Sequence, residues 1–308
     1  MIMQYIRKVR TKELVEKLLR NRLLAIVVGV SVVAVSFIIF SRIVGLHTVI
    51  KHLLNADTIW LLLVIGAQSM AFWAYVIPYK YTFKLNYREA AIHSFEGFNP
   101  TLGGGVRYDL KTHLGQRARV YYLGLWEYLV LAPAVLIAAI YGFINGGVPS
   151  PLSLPWIIGV PSGFGMFALT LSLRKRIASR FPKSRRVLNF MFGLLKHQDL
   201  KGSLLLMVGM LLYWVGELFS LWGALELFDV HLSWFALLLA YATGYVISRR
   251  SLPLGGAGIL LVALALSLYW VGAALSVTLL VALAYQVFNL TIPIIYRKAV
   301  TVFGGLTG

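Results

Sequence analysis

The chain has 308 residues, of which 59% are apolar and only 13% charged, and its mean hydropathy is +0.79. Soluble domains carry about 25% charged residues, so a chain this poor in charge excludes a water-facing surface all round and points to lipid as the solvent. The formal charge of +18, from 29 Lys and Arg against 11 Asp and Glu, sits in short loops between apolar runs, which fits an anionic membrane surface and argues against a nucleic-acid partner. With no cysteine in the chain, disulfides, thiolate metal sites and a cysteine nucleophile are excluded as well.

Residues 4–20 interleave Arg7, Lys8, Arg10, Lys12, Lys17 and Arg20 with Ile6, Leu14, Val15, Leu18 and Leu19. That pattern suits a basic amphipathic helix on the inner membrane surface, or a solvated tail. No cleavable signal peptide is expected, because a long charged stretch precedes the first apolar run. A helix needs about 20 apolar residues to cross the hydrocarbon. Such runs fall near 23–40, 58–78, 121–143, 155–173, 203–226, 232–248 and 273–296, with a shorter stretch at 256–271 that either crosses or forms part of a re-entrant hairpin. No alternation with a period of two appears, so a β-barrel is not expected. The expected fold is all-α: a polytopic membrane bundle of about eight membrane segments. Residues 1–22 form a basic cytoplasmic segment, 23–300 one transmembrane domain and 301–308 a tail.

The segments before Leu23, 79–120 and 174–201 are strongly basic, as are Arg249–Arg250 and Arg297–Lys298. The loop 144–154 has no charge, 227–231 has Asp229 and no Lys or Arg, and 41–57 is mixed. By the positive-inside rule, both termini and the basic loops face the cytoplasm of a cell-membrane protein.

Two stretches break the helical pattern alike. One is Asn99-Pro100-Thr101-Leu102-Gly103-Gly104-Gly105-Val106, and the other is Leu252-Pro253-Leu254-Gly255-Gly256-Ala257-Gly258-Ile259. Proline removes a backbone donor and glycine admits conformations closed to other residues. Such backbone is tolerated at membrane depth only inside protein or beside water, and paired broken helices in two halves of a chain point to a transport site. A following half-helix would offer its N–H groups to an anion. Plain close packing of helices through small residues is the competing explanation.

Two acidic residues fall inside expected crossings. Glu217 lies near the middle of 203–226, and Glu127 one to two turns into 121–143. Each is a candidate for headgroup binding or proton coupling, or else a structural acid hydrogen-bonded to a neighbouring helix. Arg107 and Asp109 follow the first glycine cluster, while Arg249 and Arg250 precede the second. The arginines suit a phosphate headgroup, and also serve simply to orient helices. The candidate substrate-binding set is Gly103, Gly104, Gly105, Arg107, Asp109, Glu127, Glu217, Arg249, Arg250, Gly255, Gly256 and Gly258. The six histidines are scattered, no HExxH occurs, and neither a metal nor a cofactor is expected. The aromatic residues read as interface belts and packing.

Two blocks carry a family resemblance. The first runs from Gly97-Phe98 through Gly103–Gly105 and Asp109 to Tyr122-Leu123-Gly124-Leu125, Glu127-Tyr128 and Val130-Leu131-Ala132-Pro133-Ala134. The second runs from Arg249 through Gly258 to Trp270-Val271-Gly272, Ala284-Tyr285, Phe288-Asn289 and Pro293. Over residues 20–300 the chain resembles the flippase-like membrane domain of lysylphosphatidylglycerol synthases, in a stand-alone form without the soluble synthase domain. The resemblance implies lipid translocation between leaflets rather than aminoacyl transfer. Two positions depart from the family pattern: Leu260 or Leu261 stands where an acidic residue is common, and Gln286 where an arginine is common. Loss of both together is compatible with a vanished ion pair.

The resulting expectation is a transporter, not an enzyme, moving an anionic or aminoacylated phospholipid or a lipid-linked phosphate. Membrane lipids are the expected partners, with a homo-oligomer and a separate lipid-modifying enzyme left open. The competing readings are an integral membrane enzyme acting on a lipid-linked phosphate or sugar, and a non-catalytic cell-envelope partner.

Overall fold

The structure, a computed structural model, describes residues 31, 34–35, 37–98, 114–180, 200–250 and 256–303. The basic segment 1–22, most of the crossing at 23–40, the first glycine run with Arg107 and Asp109, the basic run 181–199, residues 251–255 and the end of the tail lie outside the described residues. All regular structure among the described residues is helical: α1 (Leu46–Leu54), α2 (Trp60–Phe83), α3 (Tyr87–Phe98), α4 (Leu114–Ile144), α5 (Ser150–Ser172), α6 (Arg174–Arg180), α7 (Leu200–Glu226), α8 (Trp234–Arg250), α9 (Gly256–Trp270) and α10 (Leu275–Phe303).

Five of these helices, α2, α4, α5, α7 and α10, are long and apolar enough to cross a membrane. At 1.5 Å per residue the 24 residues of α2 reach about 36 Å, more than the roughly 30 Å of hydrocarbon. A sixth candidate is bent: Phe37–Val44 and α1 meet at 99° about Gly45, whose φ of +91° few side-chain-bearing residues adopt. By sequence alone 41–57 is a loop of mixed charge. Leu46, Val49, Ile50 and Leu53 instead recur at helical spacing and turn Val49 into the core.

The remaining membrane segments are short. The 17 residues of α8 and the 15 of α9 reach only about 25 and 23 Å. They pack on each other closely enough that a Cβ on Gly244 would lie 3.2 Å from the Leu264 Cα. The chain therefore reverses between Arg250 and Gly256, and the stretch at 256–271 is the second arm of a helical hairpin rather than a continuation of α8. Helix α3 is also short. Asn86 caps it, its Oδ1 accepting from the Glu89 N–H at 2.8 Å while Glu89 returns a bond to the Asn86 N–H, and it ends at Phe98, just before the first glycine run.

Helices α2 and α7 form the centre of the bundle. Buried glycines recur every seven residues along α7, at Gly202, Gly209, Gly216 and Gly223, and keep one smooth seam facing α2. A Cβ on Gly216 would fall 2.7 Å from the Ala67 carbonyl oxygen and 2.8 Å from the Ala71 nitrogen, and one on Gly209 would lie 2.6 Å from Cδ of Pro78. This approach replaces the hydrophobic drive that lipid does not supply between helices with van der Waals contact. Helix α10 lies against α2, α3 and α7, and α4 packs on α2, α7 and α8. Helix α5 sits at the outside, largely exposed; it packs on α4 and reaches α8 through Trp156, whose Nε1 donates to Thr243 Oγ1 at 3.0 Å. The ends differ in charge: Lys80, Lys84, Arg88, Lys201, Arg297 and Lys298 lie at one end, where α2 and α10 finish and α7 begins, while Asp57, Glu226 and Asp229 lie at the other.

Because the atoms facing Gly216 are backbone, even one methyl group must push α2 and α7 apart. Gly216→Ala is expected to cost about 1–3 kcal/mol and lower the thermal midpoint of the purified protein. Gly66→Ala, on the open face of α2 with no atom within 4 Å, leaves the midpoint unchanged; equal midpoints for the two variants would contradict this packing.

Candidate functional site

Both acidic residues of the expected crossings lie in the interior, Glu127 at 2% and Glu217 at 1% exposure. Tertiary structure supplies what hydrocarbon cannot, a set of hydrogen-bond donors from four helices. Glu127 on α4 accepts from the Tyr75 hydroxyl of α2 at 2.8 Å and from the Tyr245 hydroxyl of α8 at 3.0 Å. Its backbone carbonyl accepts from Trp214 Nε1 of α7 at 3.1 Å. Glu217 on α7 accepts from the Tyr285 hydroxyl and from Asn289 Nδ2 at 3.2 Å, both on α10, and from Gln68 Nε2 of α2 at 3.4 Å. Tyr285 and Asn289 are four residues apart, which puts them on one face of α10.

The two carboxylates occupy separate levels. Gln68 and Tyr75 mark them on α2, seven residues apart on one face, a rise of about 10 Å. An aromatic column connects the levels: Tyr75 and Tyr213 have ring centroids 5.1 Å apart, Trp214 and Tyr245 4.8 Å, Tyr241 and Tyr245 6.1 Å, and Tyr241 and Tyr285 6.0 Å. The Tyr285 hydroxyl also lies 3.5 Å from that of Tyr241.

No lysine or arginine is buried among the described residues, and the groups set against Glu217 (Tyr285, Gln68, Tyr241 and Asn289) are all neutral. A charged side chain at the centre of a bilayer costs about 2.5–3.5 kcal/mol on insertion scales. Hydrogen bonds to charged groups contribute about 1.5–3 kcal/mol each, so three or four donors can hold a carboxylate here without a base. Buried polar atoms without a hydrogen-bond partner include the Gln68 Oε1, the Thr82 Oγ1 and both amide atoms of Gln286.

The remaining expected site residues divide by position. Arg249 and Arg250 close α8, and Gly256 and Gly258 open α9, so the structure places all four at the reversal of the hairpin through their backbone. Gly103, Gly104, Gly105, Arg107, Asp109 and Gly255 lie outside the described residues. Leu260 and Leu261, the apolar departures from the family pattern, are buried on α9. Among the described residues no three His, Cys, Asp or Glu side chains converge as for a metal ion.

Sequence reasoning found the two acids and missed the groups that hold them. Tyr75, Tyr213, Tyr241, Tyr245 and Tyr285 form the interior column rather than an interface belt. Spacing carried part of the signal: Tyr241 and Tyr245, and Tyr285 and Asn289, are each four residues apart, and the glycine heptad of α7 runs past Glu217.

Fold and site together define a polytopic helical membrane protein with a two-level acidic and tyrosine centre inside its bundle. No protein-family model matches the chain, and no curated protein matches it.

The hydroxyl donors give a direct check of the network. Tyr245→Phe and Tyr285→Phe each remove one bond to a buried carboxylate, and each is expected to cost about 1–3 kcal/mol in thermal or denaturant unfolding of the purified protein. Tyr141→Phe, on an exposed ring, leaves stability unchanged; two buried-site variants as stable as that control would show that the bonds are not made.

Proposed function

We propose that the chain is a lipid transporter that moves an anionic or aminoacylated phospholipid, or a lipid-linked phosphate, between the leaflets of the cell membrane. The observation that carries this reading is the position of α8. One helix ends in Arg249 and Arg250 at a chain reversal and, one to two turns earlier, supplies Tyr245 to Glu127 and Tyr241 to the surroundings of Glu217. A headgroup phosphate received at the reversal, by guanidinium groups and by the N-terminal backbone of α9 around Gly256 and Gly258, is then one helical turn from the first carboxylate. An ammonium group on the same lipid finds Glu127 at that depth, and Glu217 lies about 10 Å farther along the interior column.

The first glycine run enters as the partner of the second. In this reading Gly103, Gly104, Gly105, Arg107 and Asp109 serve the same headgroup as Gly255, Gly256 and Gly258. The resemblance to the membrane domain of lysylphosphatidylglycerol synthases supports the same substrate class. The grouping of basic residues at one end of the bundle supports a cytoplasmic location for that end and for both termini.

Purified protein in liposomes is expected to accelerate leaflet exchange of phosphatidylglycerol, lysylphosphatidylglycerol or a polyprenyl phosphate by at least about tenfold over empty liposomes, an effect of about 1.4 kcal/mol on the barrier. Gly256→Leu, at the start of α9, and Glu127→Gln are expected to slow that exchange while the protein still reconstitutes. Exchange no faster than in empty liposomes for all three lipids would end the transporter reading.

A further inference from the structure

The oxygen atoms around Glu217 form a site that hydrogen bonding within the protein does not complete. Gln68 is fully buried, and two bonds fix its side chain: its Nε2 donates to Ser220 Oγ at 2.9 Å and to Glu217 Oε2 at 3.4 Å. The amide is thus held beside the carboxylate, yet its carbonyl oxygen, Oε1, has no partner. An orphaned buried acceptor is costly, and one held beside an acid is satisfied by a positive group that both oxygens attract.

The charge balance points the same way. Facing Glu217 are Gln68 from α2, Tyr241 from α8, Tyr285 and Asn289 from α10, and Tyr213 from its own helix, with Ser220 beside Gln68. The set holds no base. Size then limits the guest. Tyr213, Tyr241 and Tyr285 are at most 2% exposed, and the rings of Tyr241 and Tyr285 pack edge to face, which excludes a lipid headgroup and limits any guest to a small ion stripped of water. Carboxylate, amide carbonyl and hydroxyl oxygens are the ligands that hard cations take.

We propose that Glu217, Gln68 and Ser220, with the Tyr285 hydroxyl, form a binding site for one monovalent cation, H⁺ or Na⁺. The two share their chemistry here, a single positive charge placed on a buried carboxylate among neutral oxygens. The site depends on the geometry of α2, α7 and α10 and not on lipid movement. Its failure and the failure of the transporter reading are separate results.

The test uses purified full-length protein in nanodiscs, with no lipid-exchange measurement. Thermal midpoints are compared in NaCl, KCl and choline chloride at matched ionic strength, and infrared difference spectra follow the C=O stretch of a protonated carboxyl group as pH is raised. For Na⁺, the midpoint of the wild type rises with NaCl and not with the other salts, and Glu217→Gln abolishes the rise. For H⁺, the midpoints do not distinguish the salts, while the wild type shows a protonated-carboxyl band that pH removes and that Glu217→Gln lacks. A wild type with neither a sodium-specific rise nor a band assignable to Glu217 would overturn the site.

Gln68→Leu keeps the carboxylate and covers the case in which Glu217→Gln does not fold. It is expected to weaken Na⁺ binding by about 10–100-fold or, if the ion is H⁺, to shift the carboxyl band. A Gln68→Leu protein identical to wild type in both measurements would also overturn the proposal.

Discussion

In hydrocarbon there is no water to satisfy a carboxylate, so everything near Glu127 and Glu217 must be supplied by other helices. The constraint is met by close approach. Helix α7 carries a glycine wherever its seam meets α2, and Gly216 lets the two backbones touch one residue from Glu217. That contact brings Gln68 within reach of Glu217 from the opposite helix, and the same register brings Tyr75 into the level of Trp214 and Glu127. The polar centre is thus a consequence of a steric seam: without the glycines the helices would stand apart and the donors would not reach.

The bundle gives its most irregular segments to the same region. Helices α8 and α9 are each shorter than a membrane crossing and pack against each other as two arms, with the end of α8 and the start of α9 near one another in the sequence. Tyr241 and Tyr245 tie this hairpin to both carboxylates. A change in the hairpin therefore reaches the acids through two hydroxyl groups. In a transporter this is the coupling required between the part that receives a headgroup and the part that carries charge.

Much of the fold was legible because lipid imposes a simple rule on sequence. Apolar runs of about 20 residues marked α2, α4, α5, α7 and α10, and proline with glycine marked the end of α8. Helix α1 was less legible: nine residues with Lys51 and two histidines resemble a loop until Val49 is placed in the core. Glu127 and Glu217 stood out because acids are rare at membrane depth. Their partners did not, since tyrosine is common both at interfaces and in cores. Only the tertiary arrangement shows that residues 75, 127, 245 and 214 meet, as do 68, 217, 285 and 289. The glycine heptad was present in the sequence throughout, but its meaning depends on which helix it faces.

The central claim is that polar guests reach the acidic centre at membrane depth. Because the chain has no cysteine, a single introduced thiol has no background. Ser220→Cys places one beside Gln68, and Leu221→Cys places one in the neighbouring apolar core. Thiols react as thiolates, which form only where water or a polar path reaches them. Ag⁺, a small monovalent cation that binds thiolates, is predicted to react with Ser220→Cys in membranes and to spare Leu221→Cys. Equal resistance of both variants, in folded protein, would contradict it.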